Sequence, residues 1–246
     1  MNTAILKLVT TQIKLSQASK EIIAAVQECL GIPIDGICGV KTLLHFYAFK
    51  KNHNLADPDY LGATTAQALL DSIKVLITEK QAETIFNNQI TPLQLTDLNN
   101  CLSRFSINTP PRMRHFLSQI AHESGGLKWL KELATGDAYE GRKDLGNNQP
   151  GDGRKFKGGG ALQVTGRANY QALCNYLNDP RVMEGCNYVA SVMPFTASGH
   201  WWYANSMNTF CDAGATVEQI TRRVNGGING LKDRQFYYAI ALRVIQ

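Results

Sequence analysis

Residues 110–126 read PPRMRHFLSQIAHESGG, and this stretch decides how the 246-residue chain folds. Met113, Phe116, Leu117, Ile120 and Ala121 fall at i, i+3, i+4, i+7 and i+8, the spacing of a helix with one buried face. Pro110-Pro111 suits the first helical turn, where a missing N–H costs little, and Gly125-Gly126 ends the helix. At about 100° per residue, Glu123 lies about 90° from the centre of the apolar stripe, and His122 points roughly away from the core. The acid therefore sits in the last turn, beside unpaired carbonyls and the negative end of the helix dipole. That position disfavours a carboxylate, partial burial pushes the same way, and a protonated Glu is what a general acid requires. A solvent-facing Glu with no chemistry fits the same pattern.

Two further acids follow, Glu132 nine residues on and Glu140 seventeen residues on. Along an unbroken helix nine residues turn about 900°, which would point Glu123 and Glu132 in opposite directions. The glycine pair removes that obstacle, because a chain leaving the helix at Gly125 is free to double back. Glu132 then faces Glu123 across a cleft, the paired arrangement that glycoside hydrolysis needs. From 136 to 160, eight of twenty-five residues are glycine, so this segment is expected as surface loop and tight turns, either functional or merely mobile. Gly158-Gly159-Gly160 is not followed by Gly-Lys-Ser/Thr and shows no Rossmann spacing, so no nucleotide site is expected.

Outside this region, length alone allows one large or two unequal domains. Hydrophobic residues at 44%, charged residues at 18%, and 21 Gly with 8 Pro describe a folded chain. No run of 18 apolar residues suggests a membrane span. The net charge, 25 − 20 = +5, favours acidic partners but is too sparse for a dedicated nucleic-acid binder. Cys29, Cys38, Cys101, Cys174, Cys186 and Cys211 are scattered, and free thiols are expected. His122-Glu123-Ser124-Gly125-Gly126 lacks the second histidine of a zinc peptidase, and His115 and His122 find no third ligand, so neither metal nor cofactor is expected. Around Lys7 and Lys14, the first fifteen residues show no small-residue cleavage site, so no secretory signal is expected.

The N-terminal segment carries helical spacing at Ile22, Ile23, Val26 and Leu30 up to Gly31, a turn at Asp35-Gly36, and a second helical pattern from Thr42. A shorter echo follows from Leu61 to Leu70. The order Val26-Gln27, Leu30-Gly31, Asp35-Gly36, Gly39, Thr42, Phe49, Leu55, Leu61-Gly62, Thr65 resembles the peptidoglycan-binding family of three-helix cell-wall modules over about residues 20–72. Cys38 and Val40 stand where such modules often carry an aromatic residue and a proline. The resemblance implies a wall-anchoring role with its ligand groove near the Asp35–Thr42 loop. The boundary to a second domain is expected near Ile73 to Thr78, giving 1–75 and 76–246.

From about residue 80 onward the chain resembles glycoside hydrolase family 19, the chitinase-like fold, and especially its phage endolysin branch. The resemblance rests on Ala121 to Gly126, Asn147 to Phe156, Phe156 to Tyr170, and Asn225-Gly226-Gly227 with Asp233-Arg234. It implies a mainly α-helical, lysozyme-like catalytic domain with Glu123 as general acid and Glu132 as general base. Glu140 is the alternative base, since longer members place theirs further along. Thr165 matches the hydroxyl that helps hold the attacking water. Gln163, Asn169, Asn225 and Arg234 match sugar-binding or carboxylate-orienting positions, with Tyr170 beneath a sugar. The family is inverting, with carboxylates about 6.5 to 9.5 Å apart to admit water. Where the family commonly reads Gly-Arg-Gly, this chain has Gly158-Gly159-Gly160, which removes a rigid fork of donors unless Lys157 or Arg154 replaces it.

The whole sequence thus predicts a monomeric endolysin that cuts the β-1,4 glycan strands of peptidoglycan. It would be made in a host cytoplasm, released by a factor such as a holin, and show no stable membrane insertion and no nucleic-acid partner. A chitinase and a non-catalytic wall-binding phage protein are the rivals. Trp201-Trp202-Tyr203 is expected as a core helix rather than a sugar platform, and Gln235–Gln246 as a buried closing helix.

Overall fold

Apolar periodicity, with side-chain caps at four of the helix starts, sets the element boundaries of a mainly helical chain. A computed structural model describes residues 3–32, 34–72 and 75–246. Residues 73 and 74, within the expected domain boundary, lie outside the described residues, as do 1, 2 and 33. The chain groups into two compact units, Met1–Lys74 with Asn175–Asp179, and Val75–Cys174 with Pro180–Gln246.

In the first unit, Ser19 caps α1 (Lys20–Cys29) by accepting from the Ile22 N–H, and the chain leaves that helix through Gly31 at φ +66°. α2 (Val40–Asn52) and α3 (Ala63–Ser72) follow. A short antiparallel pair, β1 (Ile13–Lys14) with β2 (Tyr60–Leu61), sets Ile13 opposite Leu61. Leu6, Leu15, Val26, Phe46, Leu61 and Leu69 form the core. Gln27 is buried within it and organises the Asp35–Thr42 loop: its Nε2 donates to Asp35 Oδ1 (2.7 Å) and Thr42 Oγ1 (2.9 Å), and its Oε1 accepts from the Asp35 and Gly36 N–H groups.

The second unit begins with α4 (Glu79–Ile85) and α5 (Pro92–Arg104), each opened by a Thr/Gln capping box, Thr78 with Gln81 and Thr91 with Gln94. α6 (Pro110–Glu123) takes Pro110 into its first turn. After an irregular glycine-rich segment come α7 (Asp152–Lys155), α8 (Arg167–Leu177), α9 (Cys186–Val192), α10 (Pro194–Ala204), α11 (Met207–Asp212), α12 (Val217–Asn225) and α13 (Leu231–Val244). α6 is the hub and packs against α13, α4, α11 and α12. Phe116, Leu117 and Ile120 enter a core with Phe86, Leu102, Phe105, Phe195, Trp202 and Ile220. Asp97 of α5 is buried and accepts the N–H groups of Phe195 (2.7 Å) and Thr196 (3.2 Å), tying α5 to the start of α10.

Three expectations are revised. The glycine-rich segment is not simply surface loop: Asn147 and Asp152 are fully buried, and Asp152 receives both Arg167 Nη2 (2.6 Å) and Nε (2.8 Å). α13 is not a buried closing helix. It applies a narrow face, with Arg234 and Ala241, to the core, and leaves Phe236 59% and Leu242 49% exposed. Of the aromatic trio, Trp202 is fully buried while Tyr203 is 55% exposed, because adjacent residues on one helix point about 100° apart. All six cysteines are free thiols.

His115, on α6, is buried with its Nδ1 unpartnered, and its ring lies 4.7 Å from that of Tyr238. Burial lowers its pKa from 6.5 to about 4, against a smaller opposing pull from the Ala215 backbone. Above 6.5 both folded and unfolded chains hold it neutral. Below that the unfolded chain binds the proton more readily, so stability falls as pH drops from 6.5 towards 4. Chemical denaturation at pH 7 and pH 4.5 should therefore show about 2 kcal/mol less pH-dependent loss in His115→Phe than in the native sequence.

Candidate active site

α6 ends at Glu123, where Ser124 takes over: its Oγ donates to Ile120 O (2.6 Å) and accepts from the Leu127 N–H (2.9 Å). Gly125 (φ +58°), Gly126 (+69°) and Leu127 (+74°) are then left-handed in succession, which reverses the chain. Trp129 N–H bonds back to Ser124 O (2.9 Å). Beyond it Lys131 bridges Gly159, which in turn bridges Val164, so the strand-like ends carrying Glu132, Gly158 and Thr165 lie side by side.

Glu123 does not face bare helix-end carbonyls alone. Arg234, fully buried on α13, donates Nη2 to Glu123 Oε1 at 2.5 Å, Nη1 to Gln119 Oε1 at 2.5 Å, and Nε to Asn229 O at 3.2 Å. Gln119 stands one turn before Glu123, and its Nε2 reaches Thr221 Oγ1 at 3.4 Å. The Glu123 side chain remains 23% exposed, and among the described residues its Oε2 carries no hydrogen bond. One oxygen is held and the other is open.

Glu132 is held differently. Its Oε2 accepts from the Gly158 N–H (2.9 Å), its Oε1 accepts from the Tyr139 hydroxyl (3.1 Å), and its own N–H donates to Gly158 O (2.9 Å). Both contacts are donors, as an ionised carboxylate requires. Burial and the neighbouring Glu132 together raise the Tyr139 phenol above its ordinary value, burial being the larger cause. Glu140 is engaged elsewhere: its two oxygens accept from the Gly151 (2.7 Å) and Gly153 (2.8 Å) N–H groups.

Thr165 donates its hydroxyl to Gln163 O (2.9 Å), and Asn169, exposed, donates to Thr165 O (2.7 Å). Gln163, at φ +52°, spends its amide donors on Trp129 O and Gly160 O (3.0 Å each), leaving Oε1 beside Gly158. Asn225 is exposed at the end of α12, on the loop whose Asn229 carbonyl meets Arg234. Tyr170 departs from expectation: it is 1% exposed, packs on Phe156 at 5.1 Å, and donates to Lys157 O (2.8 Å), so no ring face is open to a sugar. Gln119 and Tyr139, which contact Arg234 and Glu132, are not singled out by the sequence. Gln119 alone had a signal, since i and i+4 on one helix share a side.

No protein-family profile matches the chain. A Haemophilus influenzae protein described as glycosyl hydrolase family 19 domain-containing is 30% identical over 155 residues, which cover 48% of this chain and 72% of that protein. The chain belongs to glycoside hydrolase family 19. Solved structures share the fold of this family 19 hydrolase. Chitinase C from Streptomyces griseus HUT6037 superposes with a TM-score of 0.58 at 18% identity, covering 70% of this chain and 77% of that one. A bacterial family 19 chitinase gives 0.56 at 20% identity over 69% and 95%, and the class IV chitinase of Zea mays gives 0.52 at 16% identity over 70% and 94%.

The missing arginine at Gly159 now has a steric reason. A Cβ there would lie 2.4 Å from the Tyr170 hydroxyl oxygen and 3.4 Å from the Cys186 Cα, so a side chain fits only if the buried Tyr170 hydroxyl gives way. Neither expected substitute fills in: Arg154 pairs with Asp137, and Lys157 donates to Ala134 O. Gly159→Ala should lower stability by about 1–3 kcal/mol through overpacking. In a Tyr170→Phe background, which removes the oxygen in the way, thermal melts should show a smaller added loss.

Proposed function

We propose that this family 19 hydrolase cuts the β-1,4 glycan strands of peptidoglycan by an inverting mechanism, in the manner of a phage endolysin. What carries the reading is the unlike support of the two carboxylates: Glu123 is fixed through one oxygen by Arg234, and Glu132 is clasped through both by donors. In this reading Glu123 delivers a proton from Oε2 to the leaving glycosidic oxygen while Arg234 keeps Oε1 in place. Glu132 accepts a proton from the attacking water. Thr165 has committed its own hydrogen to Gln163 O, so its oxygen is left to accept the water's second O–H. The water lone pair then faces the anomeric carbon, and its attack opposite the leaving group inverts the configuration. Glu140 is not the base in this reading, because its carboxylate is engaged in holding its own loop.

Delivery to the wall is assigned to the first unit, residues 1–75 by the sequence boundary. Gln27 fixes the Asp35–Thr42 loop, and Ile37, Val40 and Leu44 beside it are 62–76% exposed, as a ligand-facing rim would be. A second reading, a chitinase, is favoured by the names of the structural neighbours, all three described as chitinases.

The test is digestion of purified peptidoglycan and of chitin hexamer in parallel, with mass spectrometry of the new reducing ends and NMR of the first anomer formed. Glu123→Gln and Glu132→Gln should each lower turnover by at least about 10²-fold, with peptidoglycan the better substrate and inverted products. Cleavage confined to chitin selects the chitinase, and retained anomeric configuration overturns the mechanism.

A further inference from the structure

The segment 136–153 is folded back on itself by close backbone contacts and a carboxylate that spans them. Gly136 (φ +91°) and Gly153 cross so closely that a Cβ on Gly136 would lie 2.4 Å from Gly153 O, and one on Gly153 would lie 2.6 Å from both Glu140 N and Gly136 O. Across this crossing the Glu140 carboxylate reaches the Gly151 and Gly153 N–H groups, which open the short α7 and have no partner within it. Glu140 is thus a bidentate staple between the two limbs of the loop. The residue just before it is Tyr139. Its carbonyl accepts from the fully buried Asn147 (2.8 Å), its N–H donates to Gly136 O (2.9 Å), and its half-buried hydroxyl donates to Glu132.

We propose that Glu140 and Tyr139 form one positioning unit for the general base, in which the Glu140 staple locks the loop and the locked loop holds the Tyr139 hydroxyl on Glu132. The proposal rests on the reading of Glu132 as the base. Neither residue is placed on the substrate: Tyr139 acts through the Glu132 carboxylate, and Glu140 acts through the loop that carries Tyr139. A partly exposed carboxylate just beyond an isolated bridge loses its aim without a second fixed donor, since Gly158 constrains only one of its oxygens. The acid that a longer family member would use as base is here the support of that base.

The test is kcat, KM and the pH–rate profile of Tyr139→Phe, Glu140→Gln, the double variant and Glu132→Gln, on whichever of purified peptidoglycan or chitin hexamer the native enzyme cleaves. Tyr139→Phe should lower kcat on the order of tenfold, the worth of one hydrogen bond to a charged group, with KM unchanged. It should also move the acidic limb to higher pH, because a donor favouring the ionised base is gone. Glu140→Gln should shift both quantities in the same direction. The double variant should fall no further than Tyr139→Phe alone, within about twofold, as for two residues acting in series. Losses that multiply, or a Tyr139→Phe variant with native kcat and profile, overturn the proposal. So does a Glu140→Gln variant as inactive as Glu132→Gln beside a normal Tyr139→Phe, which makes Glu140 the base. The conservative Tyr139→Phe keeps the test decisive should Glu140→Gln fail to fold. A fully active Glu132→Gln would instead overturn the assignment of the base itself.

Discussion

A buried guanidinium holds the candidate active site together. Placing Arg234 in the core removes its hydration at a cost of several kcal/mol, which only well-aligned acceptors offset. The fold supplies three, the Gln119 amide oxygen and Glu123 carboxylate on α6 and the Asn229 carbonyl before α13. These contacts fix the crossing of α6 with α13, the shape of the 225–230 loop, and the direction of the acid at the helix end. A single interaction thereby links core packing to the placement of the Glu123 carboxylate. Its partners leave Oε2 of Glu123 open rather than saturating both oxygens.

The other half of the site is built from backbone. Where α6 stops, three left-handed residues reverse the chain, and the bridges from Lys131 to Gly159 and from Gly159 to Val164 bring Glu132, Gly158 and Thr165 onto adjoining segments. Gly158 and Gly159 are needed there for closeness rather than flexibility. One lies against Glu132 and Gln163, the other against Tyr170. The arginine common in the family at the second position is incompatible with Tyr170 as packed here, and orientation of Glu123 falls to Arg234.

Much of this was legible in the sequence, and the limits of legibility have physical causes. Helices appeared wherever apolar spacing met a cap: α6 from its stripe and its prolines, α1 from its stripe and Gly31. Glu123 and the reversal after it followed from one helix and two glycines, both local features. Leu127 did not, because its left-handed backbone is imposed by the Ser124 hydroxyl and by neighbours rather than by its own preference. The Gln119–Arg234 contact joins residues 115 apart, a separation no periodicity reports. Tyr170 was expected at a sugar and proved buried, since an aromatic with a polar tip satisfies either position. Glu140 was the alternative base because longer family members place theirs further along the chain; the structure shows its carboxylate on two backbone N–H groups, a partnership that its place in the sequence does not report.

The measurement that bears most directly on this account is the turnover of Arg234→Lys, with thermal melting to establish that the variant folds. Lysine keeps the charge but lacks the planar fork that reaches Gln119, Glu123 and Asn229 together. The account predicts a folded protein whose kcat on its glycan substrate is at least about tenfold lower, with the acid no longer held in line. A folded lysine variant with native kcat would contradict it, showing that charge alone suffices and that the fork does not position Glu123.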